Sequence, residues 1–187
     1  MQCQQKWDLI DENVDAGMSA ADDRAAGFPP VARADARVLI LGSLPGQRSI
    51  AAQQYYAHPQ NAFWRIMAEL AGVHGNYAER CVALTANRIA LWDVLANSVR
   101  PGSLDADIQL ATAEVNDFAA FLAEHRGIEL ICFNGQKAAQ IFASRAQPGL
   151  SKSNIRRQTL PSTSPAHAAM SYEDKLSLWR TSITLAE

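Results

Sequence analysis

Two tyrosines, a histidine and an asparagine fall within seven residues at Tyr55-Tyr56-Ala57-His58-Pro59-Gln60-Asn61, and Phe63-Trp64 follow closely. The cluster combines flat aromatic surface, an imidazole and a carboxamide that both donates and accepts hydrogen bonds. Upstream, the apolar run Val38-Leu39-Ile40-Leu41 stops at Gly42-Ser43-Leu44-Pro45-Gly46. Glycines on either side of Pro45 leave little side-chain bulk, so a ligand can approach the backbone closely. The chemistry suggested is recognition of a ligand held among backbone groups, aromatic rings and neutral polar side chains. The same residues also read as a buried strand, a turn and an aromatic helix start.

The elements that must position this cluster alternate along the chain. Residues 38–41 are short and apolar throughout, as a buried parallel strand usually is. The spacing of Phe63, Ile66, Met67 and Leu70 predicts a helix over 61–72, with Gly72 near its end. Residues 89–92 and 128–133 predict two further strands, and 155–160 a fourth, edge-like one. Helices are expected over 113–125, 136–145 and 173–185, the last with Leu176, Trp179 and Ile183 inward. Strands alternating with helices imply an α/β fold, a mostly parallel four-stranded sheet covered on both faces. Ligands bind such sheets outside the carboxyl ends of the strands. The loops there, 42–46, 93–103, 134–135 and 161–167, all carry unusual residues, as one composite pocket would.

The chain has 187 residues, enough for one domain with one core. No apolar run approaches the ~20 residues of a membrane-spanning helix, and no signal layout opens the chain, so the default is an intracellular protein, cytoplasmic if bacterial. Cys3, Cys81 and Cys132 are widely spaced without a CxxC pair, which argues against a metal site, an iron–sulfur cluster or a disulfide framework. Net charge is -2, but residues 1–36 hold seven acids against three bases, leaving a balance of +2 for residues 37–187. Residues 1–36 therefore read as a mobile acidic leader, and 37–187 as a single domain. Bulk charge does not suggest DNA binding, although Lys152, Arg156 and Arg157 form a local basic run.

Gly42-Ser43-Leu44-Pro45-Gly46, the Tyr55–Trp64 block and Leu160-Pro161-Ser162-Thr163-Ser164-Pro165-Ala166 together resemble the uracil-DNA glycosylase superfamily. Within it the similarity is closest to the hypoxanthine-DNA (deoxyinosine) glycosylases and spans about residues 28–185. The resemblance implies a three-layer α/β/α sandwich, no metal or other cofactor, a monomer, and excision of deaminated bases from DNA. The chain departs from the wider superfamily at two places. Leu44 stands where many members carry an asparagine or aspartate that handles the attacking water. Leu160 stands where many carry a histidine or asparagine before Pro-Ser. Leucine can neither polarise water nor stabilise an anionic uracil, so the preferred base shifts towards hypoxanthine.

The resemblance assigns the main catalytic role to Asn61, which has no useful pKa but can orient water or donate to a purine. Asn61 also reads as the cap of the following helix. Duplex DNA hides the bond, so the nucleotide must be extruded. Tyr56 is the expected stacking ring, with Tyr55 the better core candidate. Ser43, Leu44 and Pro45 would floor the base pocket, with their backbone groups reading the base edge. His58, Trp92 and Asn134 complete that pocket, with Trp92 and Asp93 ending the second strand towards it; Trp92 reads equally as core, and Asn134 as a turn residue beside Gly135. Gly46, Ser162, Ser164, Pro165, Ala166 and His167 form the expected DNA contact, positioning phosphates and wedging the duplex. Asp105 and Asp107 read as surface or capping acids. The pocket motifs contain no lysine to form a Schiff base, so lyase chemistry is not expected. Two alternatives stay open: a broader glycosylase that also accepts uracil or xanthine, and a non-catalytic binder of DNA or nucleotides.

Overall fold

The computed structural model describes residues 23–150 and 154–184. Its strands are β1 (Arg24–Ala26), β2 (Val38–Gly42), β3 (Ile89–Asp93), β4 (Leu95–Val99), β5 (Glu114–Val115), β6 (Leu130–Asn134) and β7 (Arg156–Leu160). Its α-helices are α1 (Gln47–Ala52), α2 (Phe63–Ala71), α3 (Tyr77–Ala86), α4 (Phe118–Glu124), α5 (Gln136–Ile141) and α6 (Tyr172–Thr184).

β2, β3, β6 and β7 form one parallel sheet in the order β3-β2-β6-β7. β2, β3 and β6 are buried at every position, which explains their apolar sequences. Strand alternation divides them between two cores. Leu39, Leu41, Ala90, Trp92, Ile131 and Phe133 pack with Phe118 and Phe121 of α4 and Ile141 of α5. Val38, Ile40, Ile89, Leu91, Leu130 and Cys132 pack with Phe63 and Ile66 of α2, Leu84 of α3 and Trp179 of α6. The result is the expected α/β/α sandwich, with β7 at an exposed edge.

Several boundaries differ from the sequence reading. β4 occupies part of the expected 93–103 loop and pairs antiparallel with β1 and β5 in a second, three-stranded sheet. That pairing draws Glu114 and Val115 out of the helix expected from residue 113, which begins instead after Asp117. The Asp117 carboxylate accepts the Ala120 N–H at 2.9 Å. The 136–145 helix is α-helical to Ile141 and then widens into a π turn over Phe142–Ala146.

The acidic leader is also shorter than composition suggested. Arg24–Ala26 pair with β4, Val31 bridges to Leu91, and Ala25 and Ala36 are buried. Residues 24–36 thus belong to the folded unit, because their backbone groups find partners on it. Residues 1–22 of the expected leader lie outside the described residues. No helix among the described residues is long and apolar enough to cross a membrane.

Candidate active site

The loops leaving β2, β6 and β7 line one cavity of about 460 Å³, together with Asp93 and the 103–105 and 55–61 segments. Its position outside the carboxyl ends of the parallel strands is where such sheets place ligands. Every expected site residue except Trp92 lines it. Trp92 is turned away by strand alternation. Its ring packs 5.2 Å from Phe118 and 4.9 Å from Phe121, and its indole N–H donates to the Phe28 carbonyl at 3.0 Å. Its neighbour Asp93 points to the cavity instead.

Register explains the cavity floor. Gly42 and Asp93 are direct partners across β2 and β3, so both project on the same side. A Cβ on Gly42 would stand 2.2 Å from Asp93 Oδ1 and 3.1 Å from the Tyr56 hydroxyl, so glycine alone admits both groups. Asp93 is 3% exposed, and its Oδ2 has no hydrogen-bond partner among the described residues. Burial, reinforced by the charge of Asp105 and partly opposed by Arg100, pushes the Asp93 carboxyl up to about 7. The Tyr56 hydroxyl is likewise buried without a partner. Burial and then the Asp93 charge push it well above the ordinary phenol range.

Tyr56 holds a left-handed backbone at φ 54°, a conformation that bulky residues rarely adopt and that is found preferentially at functional sites. Its ring packs on Phe63 at a 30° tilt with centroids 4.2 Å apart, and Tyr56 also lines the cavity. Tyr55 is core, as expected. It is 3% exposed, and its hydroxyl donates towards the Phe28 and Pro29 carbonyls at 3.3 and 3.2 Å.

The glycine-flanked loop is held from behind. Leu44 turns its side chain into the α4–α5 core at 6% exposure. The buried Arg100 guanidinium donates to the Leu44 carbonyl at 3.2 Å and to the Pro45 carbonyl. The Ser43 carbonyl accepts the Leu95 N–H at 3.1 Å. The carbonyls of all three residues whose backbone groups were expected to read a base edge therefore already accept a protein hydrogen bond. The Ser43 hydroxyl donates to Asp105 Oδ1 at 2.5 Å, which brings that acid into the cavity wall rather than leaving it at the surface.

Asn61 lines the cavity, but it stands one residue before the N-cap of α2, which is Ala62, and so is not the helix cap that its other reading expected. Its Oδ1 accepts the Phe63 N–H at 3.0 Å at the start of α2, and its side chain lines the cavity. This local bond holds the carboxamide and leaves Oδ1 a second lone pair. Asn134 is placed less as expected. It lines the cavity, but Nδ2 donates to Thr163 Oγ1 and Oδ1 accepts the Thr163 N–H, each at 2.8 Å. Its amide is a strap between β6 and the last loop, so it is already engaged before any ligand arrives.

That last loop carries Ser162, Ser164, Pro165, Ala166 and His167 along the cavity rim. Ser162 Oγ accepts the Ser164 N–H at 3.2 Å, and Ser164 Oγ accepts the Ala166 N–H at 3.3 Å. Lys175 Nζ donates to the His167 carbonyl at 2.7 Å, anchoring the loop to α6. Pro165 and Ala166 are exposed at its tip. His58 also lines the cavity, with Nδ1 accepting the Gln60 N–H at 3.2 Å. No cluster of three or more potential metal ligands occurs among the described residues.

Asp93 faces the cavity as its place at the end of the second strand implied, although the sequence reading assigned it no role, whereas Asp105 and Arg100 were not assigned to the site. A carboxylate closing an apolar strand was the available signal for Asp93. Nothing local marked the other two.

Comparison with known proteins places this geometry in context. The profile of the Uracil DNA glycosylase superfamily matches residues 29–183. A Methanosarcina acetivorans protein named hypoxanthine DNA glycosylase is 38% identical over 148 residues, covering 78% of this chain and 89% of the relative. A Methanosarcina barkeri protein of the same name is 41% identical over 117 residues, covering 61% and 73% respectively. A solution NMR structure from M. acetivorans, provisionally named a uracil DNA glycosylase, superposes with a TM-score of 0.69 at 35% identity, over 84% of this chain and 98% of that one.

Proposed function

The chain belongs to the uracil-DNA glycosylase superfamily, and we propose that it is a monofunctional DNA glycosylase that removes deaminated bases, hypoxanthine in preference. One observation carries this reading. Asn61, Tyr56 and Asp93 converge on one cavity, while Leu44, at the place many superfamily members use for water, is turned into the core.

The deoxyinosine nucleotide is extruded from the duplex, and its base stacks on the open surface of Tyr56. Such stacking contributes about 1–3 kcal/mol and tolerates different bases. The bond between C1′ and the purine nitrogen breaks with its electron pair going to the base, leaving an oxocarbenium-like sugar. Water oxygen then bonds to C1′, and the proton it loses balances the departing purine. Asn61 orients that water through the free lone pair of Oδ1, its carboxamide already fixed by the Phe63 amide.

Asp93 serves the leaving base. Negative charge builds on the purine as the bond breaks, and an ionised carboxylate would oppose it. The neutral carboxyl, retained up to about pH 7, donates a hydrogen bond to the purine. The Pro165-Ala166 tip fills the space the nucleotide leaves.

The test is single-turnover incubation with oligonucleotides containing deoxyinosine, deoxyuridine or deoxyxanthosine, scoring alkali-sensitive abasic sites. Release is expected from deoxyinosine, and Asn61→Ala should slow it at least about 100-fold. Unchanged release in that variant would remove Asn61 from the mechanism. Equal release of all three bases would replace the hypoxanthine preference with a broader activity, and no release from any would favour a binder.

A further inference from the structure

A second cleft, of about 410 Å³, lies on the other side of the active-site wall and shares Tyr56, His58 and Asn61 with the first cavity. Arg65 of α2, Arg80 of α3 and His74 between them also line it, and no carboxylate does. This is unusual in a chain whose net charge is -2. Neither arginine belongs to an ion pair among the described residues.

Both guanidinium groups are held in place by means other than acids. Arg65 lies 4.1 Å over the Tyr172 ring. Arg80 lies 5.8 Å from the Trp64 ring, and its Nε donates to the Gly75 carbonyl at 2.8 Å. The nearest acid on α3, Glu79, is spent on its own helix start, accepting the Asn76 N–H at 2.7 Å. Aromatic seating orients a guanidinium while leaving N–H donors and full charge available, which suits phosphate recognition.

We propose that this cleft binds a phosphodiester of the strand being repaired, one step along the backbone from the extruded nucleotide. The inference rests on the glycosylase reading. A nucleotide in the first cavity stays joined to its neighbours through phosphates, and the His58–Asn61 wall shared by the two cavities gives its strand a short path from one to the other. The cleft behind that wall meets it with two fixed cations. Held there, the strand cannot slide, and C1′ stays opposite Asn61. The contact reads no sequence; it sets position.

The test measures equilibrium binding of a deoxyinosine oligonucleotide across a salt series. Arg65→Gln, Arg80→Gln and the double variant retain much of each aliphatic stem, and Arg126→Gln, outside both cavities, serves as the control. The log–log salt slope should fall by about 1 for each phosphate contact removed, with binding weakened several-fold, and the control should match the unaltered chain. A neutral methylphosphonate, placed singly at each linkage around the deoxyinosine, should weaken binding by the unaltered chain at one linkage and not weaken the double variant further there. The single variants stand on different helices, so a fold lost in one leaves the other informative. If the unaltered chain neither binds nor cleaves deoxyinosine DNA, the glycosylase reading fails. If it does both, but the variants keep its slope and its methylphosphonate profile, the cleft inference alone is overturned.

Discussion

At Asp93 a carboxylate is buried over Gly42 with one oxygen unpartnered, and both stability and activity should register that state. In the unfolded chain it titrates near 4, and in the folded chain near 7. Between those values the folded state keeps a proton that the unfolded state has lost, so stability falls as pH rises through the window. The difference amounts to at most about 4 kcal/mol. Asp93→Asn should flatten the stability profile from pH 4 to 7, measured by urea unfolding. Activity follows the same proton: single-turnover release should decline as pH rises through about 7 in the unaltered chain. Asp93→Asn, whose amide donates at every pH, should lose that decline while retaining part of the rate, and Asp93→Ala should lose most of it. Gly42→Ala tests the floor directly, because its Cβ would meet Asp93 Oδ1 at 2.2 Å. We expect about 1–3 kcal/mol of destabilisation and impaired base release, read by thermal unfolding and the abasic-site assay. Tyr56 and Asn61 were legible because they stand in one compact motif. Asp93 gained its meaning only when strand register set it against Gly42. Asp105 could not be found at all, since its bond to Ser43 spans 62 residues of sequence.

Three of the four parallel strands, β2, β3 and β6, were legible for a reason of element scale: buried at every position, they are written as largely apolar runs, whereas β7 is an exposed edge. β4 was not, because Leu95-Ala96-Asn97-Ser98-Val99 is a half-buried ribbon whose polar residues resemble a loop. α3 carried a readable start in Asn76 and Glu79, which form a reciprocal capping box, but its weak amphipathic stripe hid it among polar residues. The site depends on such elements being tied together after they form. Asn134 joins β6 to Thr163, and the Thr163 carbonyl accepts the Ala62 N–H at 3.0 Å, so one residue locks three loops around the cavity. Thr163→Val preserves shape but removes Oγ1, leaving the Asn134 amide buried with an unpaired donor. A loss of about 1–3 kcal/mol in unfolding free energy is expected, with slower base release as the 161–167 loop loses its register. Thr163→Ser restores the hydroxyl and should recover most of both.

Composition divided the whole molecule at residue 37, and the structure moves that division to Arg24 or earlier. An alanine-rich, acidic stretch gives no apolar periodicity, and this segment attaches mainly through its backbone, which leaves little mark on side-chain pattern. Gly27 N–H donates to the Ala96 carbonyl at 2.7 Å, and Val31 exchanges two bonds with Leu91 at 2.9 Å. The Phe28 carbonyl accepts from both Tyr55 and Trp92, one in each of the two cores. The segment therefore works as a strap that closes the sandwich beside the site. Through Tyr55, whose backbone carbonyl accepts the Trp64 indole N–H at 2.9 Å, it also steadies the loop that carries Tyr56. A chain beginning at Arg37 would leave the Tyr55 hydroxyl and the Trp92 indole without these acceptors, at about 1–3 kcal/mol each. For a protein of this size each kcal/mol lowers the unfolding midpoint by about 2–4 °C, so a fall on the order of 10 °C is expected. A chain beginning at Asp23 keeps every one of these contacts and should melt above the Arg37 chain by that margin. If the Arg37 chain melted there too, the strap would be a passive covering, and the positive φ of Tyr56 would have to be maintained from within the 42–64 segment alone.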